Sequence, residues 1–284
     1  MNKQSNNKKM VYQRYGKTFK NIRLQKMLSL SFCEKVGISK STIYRFESGQ
    51  AMIGFDSLLI ALYEMGVTLA EYEMFLNDFI ESYQEEIISA ILRADYFGDV
   101  SEKKQIYRQC IESKDNILAL TVKATYSKLE TYEVDSLLSF MSEIKLWGYY
   151  ELSVFYMILE ILSECDIIRF LDNLFLKEDQ LNHVFKYKRR MLEIYYKSSV
   201  ILTFKGRQAA SYNILKKACL KKIIDDLYLN NIKNIANGFF IFHFENKEKG
   251  LKKIEEGLNM FENFGHGYIC KFYQKKYQDI KYQI

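Results

Sequence analysis

Along the 284 residues, apolar side chains keep returning at intervals of three and four, the period of a helix with one buried face. The sharpest pattern lies at 29–49, SLSFCEKVGISKSTIYRFESG. Phe32 and Val36 share one helix face, and Ile43 and Phe46 share the face of a second helix. Between them Gly37 stands where the first helix must end in a left-handed residue, which glycine adopts at little cost. Cys33, one turn earlier, is small enough for the second helix to cross closely, and Ser39 or Ser41 is placed to cap that helix. A small residue, a glycine four later and a branched apolar residue six after that is the spacing of a helix-turn-helix.

The same periodicity predicts the neighbours. Gly16 to Met27 reads as the first helix, with Phe19 and Ile22 inward and Lys17, Lys20, Arg23 and Lys26 on the wet side. Residues 1–11 are polar and basic and are expected to form a mobile arm. A fourth helix is predicted over Phe55–Met65, started by Gly54 or Asp56 and stopped by Gly66, and a fifth begins at Thr68 and runs through Leu76. Helix-length segments then follow at 77–94, 102–112, 115–129, 133–146, 149–163, 167–175, 178–202, 206–221, 223–230, 232–245, 247–264 and 266–282. Paired helices of this length predict an α-solenoid of tetratricopeptide-like type, although no strict 34-residue period is present. The expected fold is all-α: a five-helix helix-turn-helix domain over residues 1–76, then a helical repeat domain over 77–284.

Composition sharpens this picture in three ways. There is no proline, so nothing forces a helix to stop except glycine and short polar turns. Charge is unevenly spread. Residues 1–50 carry eleven Lys and Arg against Glu34 and Glu47, a local +9, whereas the whole chain is +6 and the remainder therefore −3. Phosphate binding requires such a footprint on the candidate reader. The five cysteines (33, 110, 165, 219, 270) and three histidines (183, 243, 266) are scattered. The cysteines are expected to be small buried hydrophobes, and neither a metal site nor a cofactor is expected. No apolar run is long enough to span a membrane, so a soluble, cytoplasmic protein is expected. Phosphate-loop, dinucleotide and zinc-protease motifs are absent, and Asp225-Asp226 and Glu255-Glu256 read as exposed helix charges, so an enzyme is not expected.

In a helix-turn-helix the second helix lies in the major groove with its N-terminal residues toward the bases. Ser39, Lys40, Ser41, Tyr44 and Arg45 take the outward positions, with Arg45 as the candidate for a guanine or a phosphate, Lys40 for a phosphate, and Tyr44 for a thymine methyl or a phosphate. Arg23 completes the candidate DNA-binding set. Glu47 would be repelled by phosphates unless paired with an arginine such as Arg23.

The order Gly16-Lys17-Thr18, Ile22-Arg23, Ser39-Lys40-Ser41, Arg45-Phe46-Glu47, Gly49, Ile53, Leu58-Leu59 and Glu71-Tyr72 resembles the Rgg/GadR/MutR family. These are transcriptional regulators of low-GC Gram-positive bacteria, within the wider group controlled by short intracellular peptides (RRNPP-like). Residues 144–155, IKLWGYYELSVF, resemble a recurrent segment of the C-terminal domain of Rgg-like proteins. Tyr44 departs from the serine common in the family, Cys33 from an alanine, and Met157 from an asparagine.

The resemblance implies a homodimer joined through the last helices (247–282), a double-stranded DNA operator as partner, and a quorum-sensing peptide pheromone bound by the helical domain, with no membrane partner. An extended peptide needs side-chain amides or guanidinium groups and aromatic walls. The candidates are Trp147, Tyr150, Phe155, Arg189, Arg190, Tyr195, Tyr196, Asn237 and Phe240, each of which can equally be core or solvated face. Two alternatives stay open: a ligand-independent dimeric repressor, and a protein-interaction scaffold with a vestigial helix-turn-helix.

Overall fold

The computed structural model describes residues 2–35, 37–80, 82–181, 183–221 and 226–282. Every regular element among them is helical, and they fall into two compact units, Met1–Tyr83 and Gln84–Ile284. The first unit holds α1 (Asn2–Gln25), α2 (Phe32–Lys35), α3 (Lys40–Glu47), α4 (Phe55–Glu64) and α5 (Leu69–Leu76). Its core is Phe19 and Ile22 from α1, Cys33, Ile38, Ile43 and Phe46 from the corner, and Leu58, Ala61, Leu62 and Tyr72 from the last two helices. Phe19 and Phe46 meet edge-to-face at 5.5 Å. At Gly16 a side chain would run into the backbone of Phe46, so glycine is what lets α1 lie on α3. Helix α1 is also tied to α5, since Tyr72 donates to the Tyr15 carbonyl (2.8 Å) and the Arg14 guanidinium reaches the Leu76 carbonyl.

The turn chemistry follows the sequence. Gly37 has φ +80° and Gly66 φ +65°. Ser39 rather than Ser41 caps α3, and Thr68 caps α5 in a reciprocal capping box with Glu71. Residues 1–11, expected to form a mobile arm, are helical from residue 2 on. Their backbone continues α1 without a break to Asn2, because the polar run contains neither proline nor glycine to stop it.

The second unit comprises α6 (Tyr83–Phe97), α7 (Val100–Glu112), α8 (Asn116–Ala124), α9 (Thr131–Glu143), α10 (Tyr149–Ile158), α11 (Glu164–Phe175), α12 (Glu178–Leu181), α13 (Phe185–Phe204), α14 (Gln208–Leu220), α15 (Leu227–Phe244), α16 (Lys247–Asn263) and α17 (Gly267–Tyr282). Sequential neighbours pack in pairs, α7 on α8, α13 on α14 and α15 on α16. The pairs then stack through one helix each, α8 on α10, α10 on α13 and α13 on α15, the layering of an α-solenoid. Helix α13 is the spine: from Arg190 to Thr203 every residue except Lys197 is buried. The α15–α16 crossing is close because Gly238, Gly250 and Gly257 leave no side chain between the helices.

Several boundaries differ from expectation. From Leu227 on, the segments predicted at 223–230 and 232–245 form one helix, α15, since Asn230 and Asn231 do not break it, and residues 223–225 lie outside the described residues. Helix α6 starts only at Tyr83, after Asp78 and Phe79 take positive φ. Cys33, Cys110 and Cys270 are buried, but Cys165 and Cys219 are exposed, so the expectation of five buried thiols is corrected. Asp226 is also buried: it caps α15 by accepting from the Leu229 amide at 2.9 Å. Val36 and Asp225 lie outside the described residues. Among the described residues no helix is long and apolar enough to cross a membrane.

One acid in this frame sets a pH dependence. The buried Glu133 carboxylate accepts two hydrogen bonds from Lys123 Nζ (2.6 and 2.8 Å) and one from the Glu130 amide (2.9 Å). Lys123 first, then that amide, holds its pKa below the ordinary 4.5. A lowered folded-state pKa stabilises the fold above the unfolded value and loses that contribution as pH falls through the folded one. Glu133→Gln is therefore expected to lower Tm at pH 7, with the gap to wild type closing below about pH 4; thermal melts across pH 3–8 measure it.

Candidate DNA-reading and ligand-binding surfaces

Helix α3 begins at Ser39, whose hydroxyl accepts from the Thr42 amide (3.1 Å) and pairs with the Thr42 hydroxyl (2.8 Å). That bond supplies a partner for one of the orphan amides of the first turn. It also commits the Ser39 oxygen and Thr42 to the helix end. With Ile43 and Phe46 buried, the outward face carries Lys40, Ser41, Tyr44 and Arg45. Tyr44 is 59% exposed, and the Arg45 guanidinium makes no hydrogen bond or ion pair among the described residues. Lys40 lies 3.0 Å from Glu34, both half-exposed. Such a surface pair is worth roughly 0–1 kcal/mol, so a phosphate can displace the carboxylate.

Arg23 is a correction. It lies under the corner, its side chain only 5% exposed, and forks onto Glu47 through Nε (2.6 Å) and Nη2 (2.7 Å) while Nη1 donates to the Leu28 carbonyl (2.5 Å). With three of its five N–H donors engaged inside the unit and its side chain buried, this guanidinium is not presented to DNA. The Glu47 hydrogen bond raises its pKa further above the ordinary arginine value. The pairing expected from the sequence is thus present. It joins the end of α3 to α1 and to the chain leaving α1, and so fixes the tilt of the reading helix.

In the second unit, the nine candidate ligand residues divide by burial. Phe155 and Tyr195 have no exposed surface, and Trp147, Tyr196 and Phe240 are also buried. They are corrected to core. Phe155 packs edge-to-face on Phe170, Tyr195 on Phe175, and the Trp147 indole donates to Asn173 Oδ1 at 2.9 Å. The aromatic spacing that suggested a ligand wall is the spacing of helix packing. Tyr150 is part-buried, its hydroxyl donating to Asp115 Oδ1 (2.8 Å), and burial pushes its pKa up. Asn237 donates to the Lys233 carbonyl within its own helix.

Arg190 is buried too, bound to Glu193 Oε2 (2.7 Å) and Tyr149 (3.1 Å) and flanked by the faces of Tyr149 and Tyr156. Burial works against its charge, but Glu193, Tyr149 and Tyr156 together outweigh it and the pKa is raised. Arg189 keeps 42% of its side chain exposed. It lies over the Tyr228 ring and lines a cleft of about 500 Å³ with Leu227, Phe264 and Tyr268. Tyr149, Tyr156, Glu193 and Lys197 belong to this interior but were not singled out from the sequence. The available signal was the spacing of 190, 193 and 197, which puts Arg, Glu and Lys on one helix face.

A wider cleft, about 1010 Å³, opens between the ends of α6 and α8, the start of α7 and helix α17. Tyr96 and Phe272 form part of its wall, with rings 4.8 Å apart. Burial pushes the Tyr96 hydroxyl up to about 12, and that hydroxyl pairs with Tyr228 (2.7 Å), which pairs with Tyr273 (2.9 Å).

Comparison with known proteins follows this geometry. The family signature described as HTH-type transcriptional regulator Rgg, C-terminal domain, matches residues 91–275, and a helix-turn-helix signature matches 19–72. No curated protein matches the chain. Among solved structures, a candidate transcriptional regulator from Listeria monocytogenes EGD-e superposes with TM-score 0.78 at 13% identity, over 96% of this chain and 98% of that one. The Streptococcus dysgalactiae SHP pheromone receptor Rgg2 gives 0.71 at 17% identity, over 93% and 99%. The PrgX/cCF10 complex gives 0.63 at 11% identity, over 94% and 93%.

The ion pair under the reading helix makes a direct prediction. Removing one partner of a buried pair costs roughly 3–5 kcal/mol, because the other charge stays buried alone. Glu47→Ala is expected to destabilise the first unit by an amount in that range, read as a lower urea midpoint of unfolding, and to weaken DNA binding along with it. Glu47→Gln, which keeps one of the two acceptors, is expected to cost less. Equal stability of both variants and wild type would remove the structural role.

Proposed function

The chain belongs to the Rgg family of HTH-type transcriptional regulators, and on that premise we propose that it binds a specific DNA operator as a homodimer and answers to a short intracellular peptide. The observation that carries the DNA half is the capped helix α3, which holds Lys40, Ser41, Tyr44 and Arg45 outward within the strongly basic first fifty residues. Arg45 is the base-edge or phosphate contact, Lys40 and Ser41 the phosphate anchors, and Tyr44 the contact that departs from the family pattern. Ser39 acts through its cap. One such unit reads too few base pairs to bind tightly alone, so two copies on two half-sites are required. The last helices, 247–282, are the proposed joint.

The peptide half is supported by a helical unit with open clefts and by the pheromone receptors among the structures that share its fold. Arg189, Asn237 and Tyr150 are the named candidates that keep accessible surface. Binding would alter operator affinity through a coupling free energy between the two sites, felt equally in both directions.

Genome-wide occupancy in the native host, comparing wild type with the Lys40→Ala/Arg45→Ala double variant, tests the reader. Sharp peaks lost in the variant are expected. In vitro, the double variant is expected to lose at least tenfold in operator affinity, since one good base contact alone contributes about 1–3 kcal/mol, and to show a shallower salt dependence. Unchanged occupancy would overturn the reading and leave the scaffold alternative.

A further inference from the structure

We infer that Glu34 is a built-in competitor for the DNA backbone: its carboxylate occupies Lys40 in the free protein and so withholds one phosphate contact from the reading helix. The inference rests on the DNA-binding reading above. Acids are sparse at this end of the chain. Residues 1–50 hold eleven Lys and Arg but only two acids, Glu34 and Glu47, whereas residues 51–83 hold six acids and no Lys or Arg. Acids are thus kept off the segment that meets DNA, where phosphates would repel them. Glu47 fits that rule, because it is buried and both its oxygens bind Arg23. Glu34 breaks it. This is the one acid of the basic segment that stands at the surface, about half exposed on α2.

The place it takes is the one a phosphate needs. Glu34 Oε2 lies 3.0 Å from Lys40 Nζ, and Lys40 is the first residue of α3. The first turn of that helix carries this cation and no acid, so its charge adds to the positive end of the helix dipole. A helix N-terminus with a lysine beside it favours an anion. With a duplex bound, the anion is a phosphate; without one, it is Glu34. A carboxylate and a phosphate on the same ammonium repel each other, so docking must either draw Lys40 off Glu34 or bring the carboxylate into the phosphate field. In both cases the pair carries no net charge to the duplex, where Lys40 alone would carry one positive charge. Binding then leans less on phosphate attraction and more on the base contacts of Tyr44 and Arg45. Glu34 is a positioning residue: it acts on DNA through Lys40 and reads no base itself.

The test compares full-length wild type, Glu34→Gln, Lys40→Ala and the Glu34→Gln/Lys40→Ala double variant on a labelled random-sequence duplex of about 30 base pairs, by fluorescence anisotropy between about 50 and 200 mM salt. Glu34→Gln is expected to bind about threefold more tightly at the low-salt end, the scale of an exposed ion pair. The slope of log affinity against log salt is expected to steepen by up to about 0.9, the value of one phosphate contact. In the Lys40→Ala background, the same substitution is expected to change neither affinity nor slope. A purely structural role for Glu34 would lower Tm without making the effect on DNA depend on Lys40. No gain in affinity, a loss, or a gain that persists without Lys40 would overturn the inference, the last by assigning Glu34 to direct repulsion of the duplex. In those cases, binding that the Lys40→Ala/Arg45→Ala variant weakens leaves the DNA-binding reading standing. Absence of wild-type binding to the duplex at low salt would count against that reading itself, and the inference would fall with it.

Discussion

Helix α13 is buried on nearly every side, so its charged groups need partners on the helix itself or from its neighbours. That constraint organises the second unit. Arg190 reaches Tyr149 on α10, Lys197 donates to the Tyr156 carbonyl, and Arg189 lies over Tyr228 of α15. Thr203 and Ser199 meet the Ser211 hydroxyl of α14. An apolar spine would slide against its neighbours at small cost. A spine carrying an internal Arg–Glu pair and directed hydrogen bonds fixes which helix lies where, because an unpaired buried charge costs far more than a lost apolar contact.

The first unit solves a related problem in the opposite sense. A reading helix must show polar groups outward and still be held rigidly. Five exposed side chains on α3 leave only Ile43 and Phe46 to anchor it, which is little apolar area for eight residues. The Arg23–Glu47 fork supplies the missing restraint from beneath. It costs the unit one of its basic groups, yet the remaining Lys and Arg still make this end of the chain strongly positive.

Charge is therefore used in two ways. Buried charges come in matched sets (Arg23 with Glu47, Arg190 with Glu193, Lys103 with Asp95) and set geometry. Unmatched charges stay at the surface, on Arg45 at the outward face of α3 and on Lys128, Lys271 and Lys275 around the α17 cleft. A partner molecule can complete only the second kind.

Local chemistry made much of this legible in the chain itself. The helix period, the absence of proline, the left-handed Gly37 and the Thr68–Glu71 capping box depend on neighbours a few residues apart, and each is realised where its residues stand. The helix-turn-helix and the outward face of α3 followed from the same short-range rules. Burial across long separations did not. Whether Phe155 or Tyr195 walls a groove or fills a core is set by helices up to tens of residues away, and a helical aromatic stripe looks the same in both cases. Arg23 carried the spacing of a wet-face residue until Glu47, 24 positions on, drew it inward. Lys128 and Lys271 gave no sequence signal at all. Their shared cleft exists only because the repeat stack curls α17 back toward the ends of α6 and α8, a consequence of tertiary packing that no local pattern encodes.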